Sequence, residues 1–291
     1  MFIQQLFNGL MLGSTYALIA IAFTLLMGIL NMLNFAIGEV FMLGAIFGLG
    51  FIKLGLPIYP AFLLAVLLSG AVSLVIERFS FRPLRHAPPL VPLLSTIGFS
   101  ILLQNTAENL WGSERSQFPQ WMEPVDFHVG PLLISSTQII IFAVAVLLMV
   151  GLDLFIQRTR TGRGMRAVAE SIETASILGV DSTRIIVITF FLTGVLAGAS
   201  GILFGLSFSF VSPFMGIEPG IKGIAAMIVG GMGNLRGAIV GGIFIGITEV
   251  LSVAYFGAPA KDFAVYGALF LALIIRPQGI LGMVQADKER I

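Results

Sequence analysis

Residues 157–184 read QRTRTGRGMRAVAESIETASILGVDSTR, and long apolar stretches flank them on both sides. The segment holds the arginines Arg158, Arg160, Arg163, Arg166 and Arg184, the glutamates Glu170 and Glu173, and Asp181. Hydrocarbon cannot solvate such a run, so it must lie in water or against another protein. The flanking stretches have the opposite need. Mean hydropathy over the chain is +1.01, and only 11% of residues are charged, against about 25% in ordinary soluble domains. The chain is therefore all-α, a polytopic membrane protein with one transmembrane domain over residues 1–291. The polar segment is its organised aqueous loop. A barrel would need alternating strands of about ten residues, and none are present.

An apolar helix of about 20 residues crosses the hydrocarbon core. Candidate spans are 6–30, 40–52, 59–76, 90–110, 138–156, 185–210, 237–256 and 263–275. A ninth piece, 221–232, is short and glycine-rich, which suits a half-helix or a re-entrant segment. The second span is also short and follows the polar residues 31–34, so it too is a candidate broken helix. The count is eight to nine segments. MFIQQLFNGL at the start has no basic region of a cleavable signal, so its apolar run is expected to stay as a span. Basic loops stay cytoplasmic. A nine-segment threading puts Arg78, Arg82, Arg85, the five arginines of the polar segment, Arg236, Arg276, Lys288 and Arg290 on one side. It places the loop 111–137 outside and the C-terminus in the cytoplasm. The net charge of +1 offers no field for nucleic acid, and zero cysteines exclude disulfides and thiol chemistry.

Within the polar segment, 164–178 can form one helix of about four turns. Ala167, Ala169 and Ala175 favour it, Met165, Val168, Ile172 and Leu178 give an apolar side, and Gly179 is a stop. A short amphipathic helix with an arginine-rich entry suits the groove of a partner. The alternative is a helix lying on anionic lipid headgroups, but the bulky aromatic anchors of such helices are missing.

Inside the spans, Gly233, Gly237 and Gly241 recur at every fourth residue, a spacing for close helix packing or a subunit interface. Ionisable residues in spans are functional candidates. Glu77 and Asp153 sit near the cytoplasmic ends and are expected to pair with Arg78 and Arg158. Asn34 and Glu39 flank the break before the second span, where transporters expose polar groups to substrate. Glu249, beside Thr248, is the one deep acid. Asn34, Glu39, Thr248 and Glu249 are candidates for a translocation path, with interhelical hydrogen bonding as the alternative role. Gly198-Ala199-Ser200-Gly201 matches the G-x-S-G of intramembrane serine proteases. However, the only histidines, His86 and His128, fall in loops on opposite sides, so the motif is read as packing. No metal-ligand cluster and no G-x-x-x-x-G-K-[ST] phosphate loop are present.

Four motifs in order carry a resemblance. They are the stretch NGLMLGSTYALIAIAFTLLMGILNMLNFAIGEVFMLGA (8–45); Thr161-Gly162, Arg166-Ala167, Ala169, Ala175 and Gly179-Val180-Asp181; GGMGNLRGAIVGG (230–242); and Arg276-Pro277-Gln278-Gly279-Ile280-Leu281-Gly282. Over nearly its whole length the chain resembles ABC importer permeases of the branched-chain amino acid family, most nearly the shorter of their two permeases. Ile37 stands where that family most often has histidine. The resemblance implies a permease subunit, not an enzyme, in a bacterial inner membrane. It implies alternating-access transport of leucine, isoleucine and valine, although related permeases carry urea or short amides. Implied partners are a second permease in a heterodimer, two cytoplasmic ATPase subunits that bind the ATP and Mg, and an external substrate-binding protein. The binding protein would meet the outer loop around Trp111 and Trp121, which could instead be an interfacial aromatic belt. The residues implied in ATPase coupling are Gly162, Gly164, Arg166, Ala167, Ala169, Ala175 and Gly179. An ion-coupled secondary transporter is the rival, and it would normally show several mid-membrane charges in repeated halves.

Overall fold

Lipid tails are as apolar as leucine, so membrane helices gain little by burying leucine against one another and associate instead where small residues let backbones meet. The computed structural model, which describes residues 2–85, 87–88, 90–119, 126–129 and 132–282, is organised in this way. Its helices are α1 (Phe2–Leu30), α2 (Ile37–Lys53), α3 (Ile58–Ile76, continued by a π turn Glu77–Phe81), α4 (Leu90–Trp111), α5 (Ser136–Arg158), α6 (Arg160–Glu170), α7 (Ile172–Ile177), α8 (Ser182–Phe208), α9 (Ile217–Gly230), α10 (Leu235–Phe256) and α11 (Lys261–Ile275). Among the described residues, four short strands join them. β1 (Ser116–Gln117) pairs antiparallel with β4 (Phe210–Val211), and β2 (Asp126–Val129) with β3 (Leu132–Ser135).

Among the described residues, seven helical segments are long and apolar enough to cross a membrane: Phe2–Leu30, Ile58–Phe81, Leu90–Trp111, Ser136–Arg158, Ser182–Phe208, Leu235–Phe256 and Ala258–Ile275. The other two membrane segments are short, as their sequences led one to expect. Helix α2 has 17 residues and α9 has 14, so α9 is only about 21 Å long. The break before α2 is built locally. Asn31 takes a left-handed φ of 52° at the end of α1. The Asn34 side chain accepts from the Ala36 amide at 3.0 Å, and Thr96 of α4 accepts from the Phe35 amide at 3.2 Å.

Helix α1 is the hub, buried continuously from Gly13 to Leu26. A Cβ on Gly242 or Gly246 of α10 would collide with the α1 backbone at Ala17 or Gly13. Gly201 of α8 meets the Phe41 carbonyl of α2, and Gly44 of α2 meets Gly198 of α8. Gly237 and Gly241 face the α9 backbone at Gly230 and Ala226, so both pack within the chain. Gly233 does not belong to that stripe: it lies in the turn before α10 with φ +82°. The helix starts only after Asn234, whose side chain caps the Arg236 and Gly237 amides. Ser200 donates to the Thr15 carbonyl at 2.8 Å, a packing hydrogen bond.

Past α11 the chain returns to the end of α9. The amides of Ile280 and Leu281 donate to the carbonyls of Val229 and Gly230, at 2.8 and 3.0 Å. This places the terminal motif beside Arg236. Lys288, Arg290, His86 and Trp121 lie outside the described residues.

Replacing Gly201 by leucine should lower the thermal midpoint of the detergent-solubilised protein, because overpacking a close contact costs about 1–3 kcal/mol or more. Gly267→Ala, where the added methyl meets nothing within 4 Å, should leave the midpoint unchanged or slightly raise it. Equal midpoints for the two variants would contradict the packing described.

Candidate functional site

The polar segment folds by local rules. Thr159 alone separates α5 from α6: its hydroxyl donates to the Phe155 carbonyl (2.7 Å) and accepts from the Gly162 amide (3.0 Å). The turn is so tight that a Cβ on Gly162 would collide with the Ile156 backbone, and one on Gly164 would stand 2.7 Å from Ile185 Cδ1. Met165 and Val168 point inward and are buried.

The single helix expected over 164–178 is two helices. Ser171 between them is extended (φ −162°, ψ 117°), and its hydroxyl accepts from the Thr174 amide at 3.2 Å. Serine competes with the helical backbone in this way, which favours a cap over a helix interior. The stop at Gly179 is as expected. With φ +83° it closes α7 through Val180 N–H to the Ala175 carbonyl (3.0 Å) and Gly179 N–H to the Ser176 carbonyl (3.1 Å). Asp181 then caps α8, accepting from the Arg184 amide at 3.0 Å. Thus Gly179-Val180-Asp181 is a stop, a link and a cap.

The break also divides the apolar side anticipated as one. Met165, Val168 and Ala175 are buried, whereas Ile177 and Leu178 are 85% and 76% exposed and Ile172 is also exposed. Of the motif residues, Gly162, Gly164 and Ala175 are buried, Ala167 is half-buried, and Arg166, Ala169 and Gly179 are exposed. Helix α6 packs on the ends of α1, α5 and α8.

Two ion pairs tie this end together, neither with the partner expected. Glu77 meets Arg85 at 3.9 Å, and Arg85 reaches Thr183 in the first turn of α8 at 3.3 Å. Asp153 holds the Gln157 amide at 2.8 Å and Arg236 at 3.5 Å. Adjacent residues on a helix point to different faces, so Arg78 cannot turn to Glu77, and Arg158 is five residues from Asp153, outside the three- and four-residue spacings that meet.

The candidate path residues separate. Asn34 caps the break, and Glu39, buried in the first turn of α2, accepts from Ser100 of α4 at 3.2 Å. Thr248 turns its hydroxyl back to the Phe244 carbonyl of its own helix (2.8 Å). Glu249 points elsewhere, to Lys222 at 2.6 Å.

Lys222 is the residue the sequence reading missed, and Glu249 is not the lone deep charge. Lys222 is fully buried. Its ammonium lies 2.6 Å from Glu218, 2.6 Å from Glu249 and 3.5 Å from Asp262, and 5.8 Å from the centre of the Tyr16 ring. Lys261 adds a second ammonium 2.6 Å from Glu218. The i, i+4 spacing of Glu218 and Lys222 was the available signal, together with the need of a buried acid for a counter-charge. The cluster fastens the half-helix α9 to α10 and α11.

Helices α6 and α7 thus form a capped pair at the arginine-rich end of a helical membrane domain. Residues 5–275 match the family described as "Branched-chain amino acid transport system / permease component", and the chain belongs to that family. It is 39% identical to the high-affinity branched-chain amino acid transport system permease protein BraD of Pseudomonas aeruginosa, over 99% of this chain and 98% of the relative. It is 38% identical to LivH of Escherichia coli, described in the same terms, over 99% and 97%. The autoinducer 2 import system permease protein LsrC of Enterobacter is 30% identical over 76% of this chain and 63% of the relative. Permeases of this kind are not enzymes. They sit in the membrane and work with ATPase and binding-protein partners.

Replacing Lys222 by methionine strands Glu249 as a buried charge, a defect of about 3–5 kcal/mol. Lys222→Met should therefore be recovered from membranes at much lower yield and with a lower thermal midpoint. The double variant Lys222→Met/Glu249→Gln should regain part of both. A double variant worse than the single one would contradict the pairing.

Proposed function

We propose that this chain is one of two paired permeases in an ATP-driven importer of leucine, isoleucine and valine. The second permease is a different chain, two cytoplasmic ATPases dock below, and a binding protein outside delivers the substrate. The C-terminus lies in the cytoplasm with Arg236 and Arg276, and the membrane is a bacterial inner membrane. The BraD and LivH relatives, matched end to end, favour this substrate class over the autoinducer of the shorter LsrC match.

The observation that carries the ATP-driven part is the exposed apolar tip of the polar segment. Ile172, Ile177 and Leu178 stand outward beside Glu170 and Glu173, on the side where the arginines place the cytoplasm. An apolar tip that is neither in lipid nor in the chain's own core is a surface for a protein partner. Behind it, Met165 and Val168 are buried on α6, which packs against α1, α5 and α8. Movement of the ATPases would therefore tilt the membrane helices and switch access between the two sides. Gly162, Gly164 and Ala175 keep this lever stiff, while Arg166, Ala167, Ala169 and Gly179 shape the surface that meets the ATPase. Asn34, Glu39 and Glu249 remain candidates for the path, whereas Thr248, bonded back to its own helix, is the weakest of the four.

Two adjacent acids on the tip test this docking. Ile177→Glu with Leu178→Glu should abolish copurification of the ATPase and reduce leucine uptake, since burying a charge in place of an anchor costs roughly 2 kcal/mol or more, about 30-fold in affinity. Insertion and the amount of chain in the membrane should be unchanged. Uptake at the wild-type rate would remove the docking assignment.

A further inference from the structure

The segment that closes α3 sorts its side chains into two sides. The Arg82 amide donates back to the Glu77 carbonyl at 2.8 Å, which makes this last turn a π turn, a geometry frequent at functional sites. Its inner side is occupied. Ser80 donates to Ser95 of α4 at 2.8 Å, and Phe81 packs edge-on against Phe190 of α8 with ring centres 4.8 Å apart. Buried Glu77 pairs with Arg85, which reaches Thr183 in the first turn of α8.

The outer side is bare. Arg78, Phe79 and Arg82 are exposed, Phe79 by 66%. Among the described residues neither arginine side chain has an acid or a hydrogen-bond acceptor, because the one acid of the segment, Glu77, is turned inward. Further along α3 the same face is apolar. Leu64, Leu68, Val75 and Phe79 follow one another at four and seven residues and are all exposed, and residues at such spacings share one helix face. The face is a hydrocarbon track that ends on two uncompensated positive charges beside an aromatic ring. A soluble partner would cover the charges and leave the track bare. An amphiphile with an acidic head and acyl tails covers both.

We propose that Arg78 and Arg82, with Phe79 between them, hold the phosphate headgroup of an anionic phospholipid of the cytoplasmic leaflet, whose acyl chains lie along Leu64, Leu68 and Val75. Guanidinium groups donate to phosphate oxygens in matched pairs, and aromatic rings favour the headgroup level. The bound lipid pins the outside of a segment whose inside grips α8 through Phe81 and Arg85. It therefore steadies the first turn of the helix that continues from the polar segment.

The test uses the transporter assembled with its partners in phosphatidylcholine nanodiscs. These carry a trace of photoactivatable phosphatidylglycerol or, separately, of photoactivatable phosphatidylcholine. Labelling at residues 75–82 should favour phosphatidylglycerol by roughly 30-fold, since each arginine near an acidic headgroup contributes about fivefold. Arg78→Gln with Arg82→Gln should lose the preference, and either single variant should keep about a fivefold one. Arg78→Lys with Arg82→Lys, which retains the charge, should keep most of it. Glycerol phosphate in excess, which has the headgroup chemistry without the tails, should not compete. Equal labelling by the two lipids would make these arginines ordinary membrane anchors and overturn the proposal. Competition by glycerol phosphate would make the patch a site for a soluble anion and overturn it as well. Labelling that appears only after the ATPases or the second permease are stripped away would show a protein in place of the lipid, with the same consequence.

Discussion

Backbone contact between α1 and α10, at Gly242 on Ala17 and Gly246 on Gly13, fixes the position of everything else. Two helices this close cannot be separated by a side chain, so α1 becomes a buried axis and α10 lies along it. Glycines of α8 then bring α2 and α3 in from the other side. Helix α9 is buried against α1 and α10, while α4, α5 and α11 are peripheral. Leu94 of α4, Leu147 of α5 and Phe270 of α11 present apolar surface outward, as lipid or a companion subunit requires. Because α10 cannot move away from α1, Glu249 points at α9, and a lysine on α9 becomes obligatory.

The same stiffness serves the cytoplasmic end. The capped Thr159 turn, with Gly162 against Ile156, leaves no flexible linker between α5 and α6. The Schellman closure at Gly179 and the Asp181 cap leave almost none between α7 and α8. In the proposed coupling, a force on Ile177 or Leu178 would reach α5 and α8 together, and the contacts of Arg85 with Thr183 and of Arg236 with Asp153 would carry it to the neighbouring loops. An exposed apolar tip on a stiff base suits a coupling element better than a lipid-binding one, which would need only adhesion.

Much of this is written plainly in the chain. Hydropathy alone marks the seven long spans, and the charges of residues 157–184 mark the loop that cannot be one of them. The motif glycines are legible because left-handed turns and close backbones demand that residue type, as Gly179 and Gly162 do. What a local reading misses is three-dimensional. Ser171 looks like a tolerable residue inside a helix until its hydroxyl has a backbone amide to take. Gly233 shares the spacing of Gly237 and Gly241, but Asn234 starts the helix after it. Lys222 sits in a piece too short to count as a full span, and the acids that neutralise it come from α9 itself, α10 and α11. Its discovery also removes one objection to an ion-coupled carrier, since deep charges are present after all; the match over residues 5–275 is what places the chain among ATP-coupled permeases.

Stiff transmission from an ATPase to a leucine path is tested most directly by ATP hydrolysis in the complex that copurifies with this chain from native membranes. It should be measured with and without leucine-loaded binding protein. Hydrolysis that rises on adding the loaded protein, and not on adding the empty one, is the expected result. A complex that imports leucine with no copurifying ATPase would contradict the account.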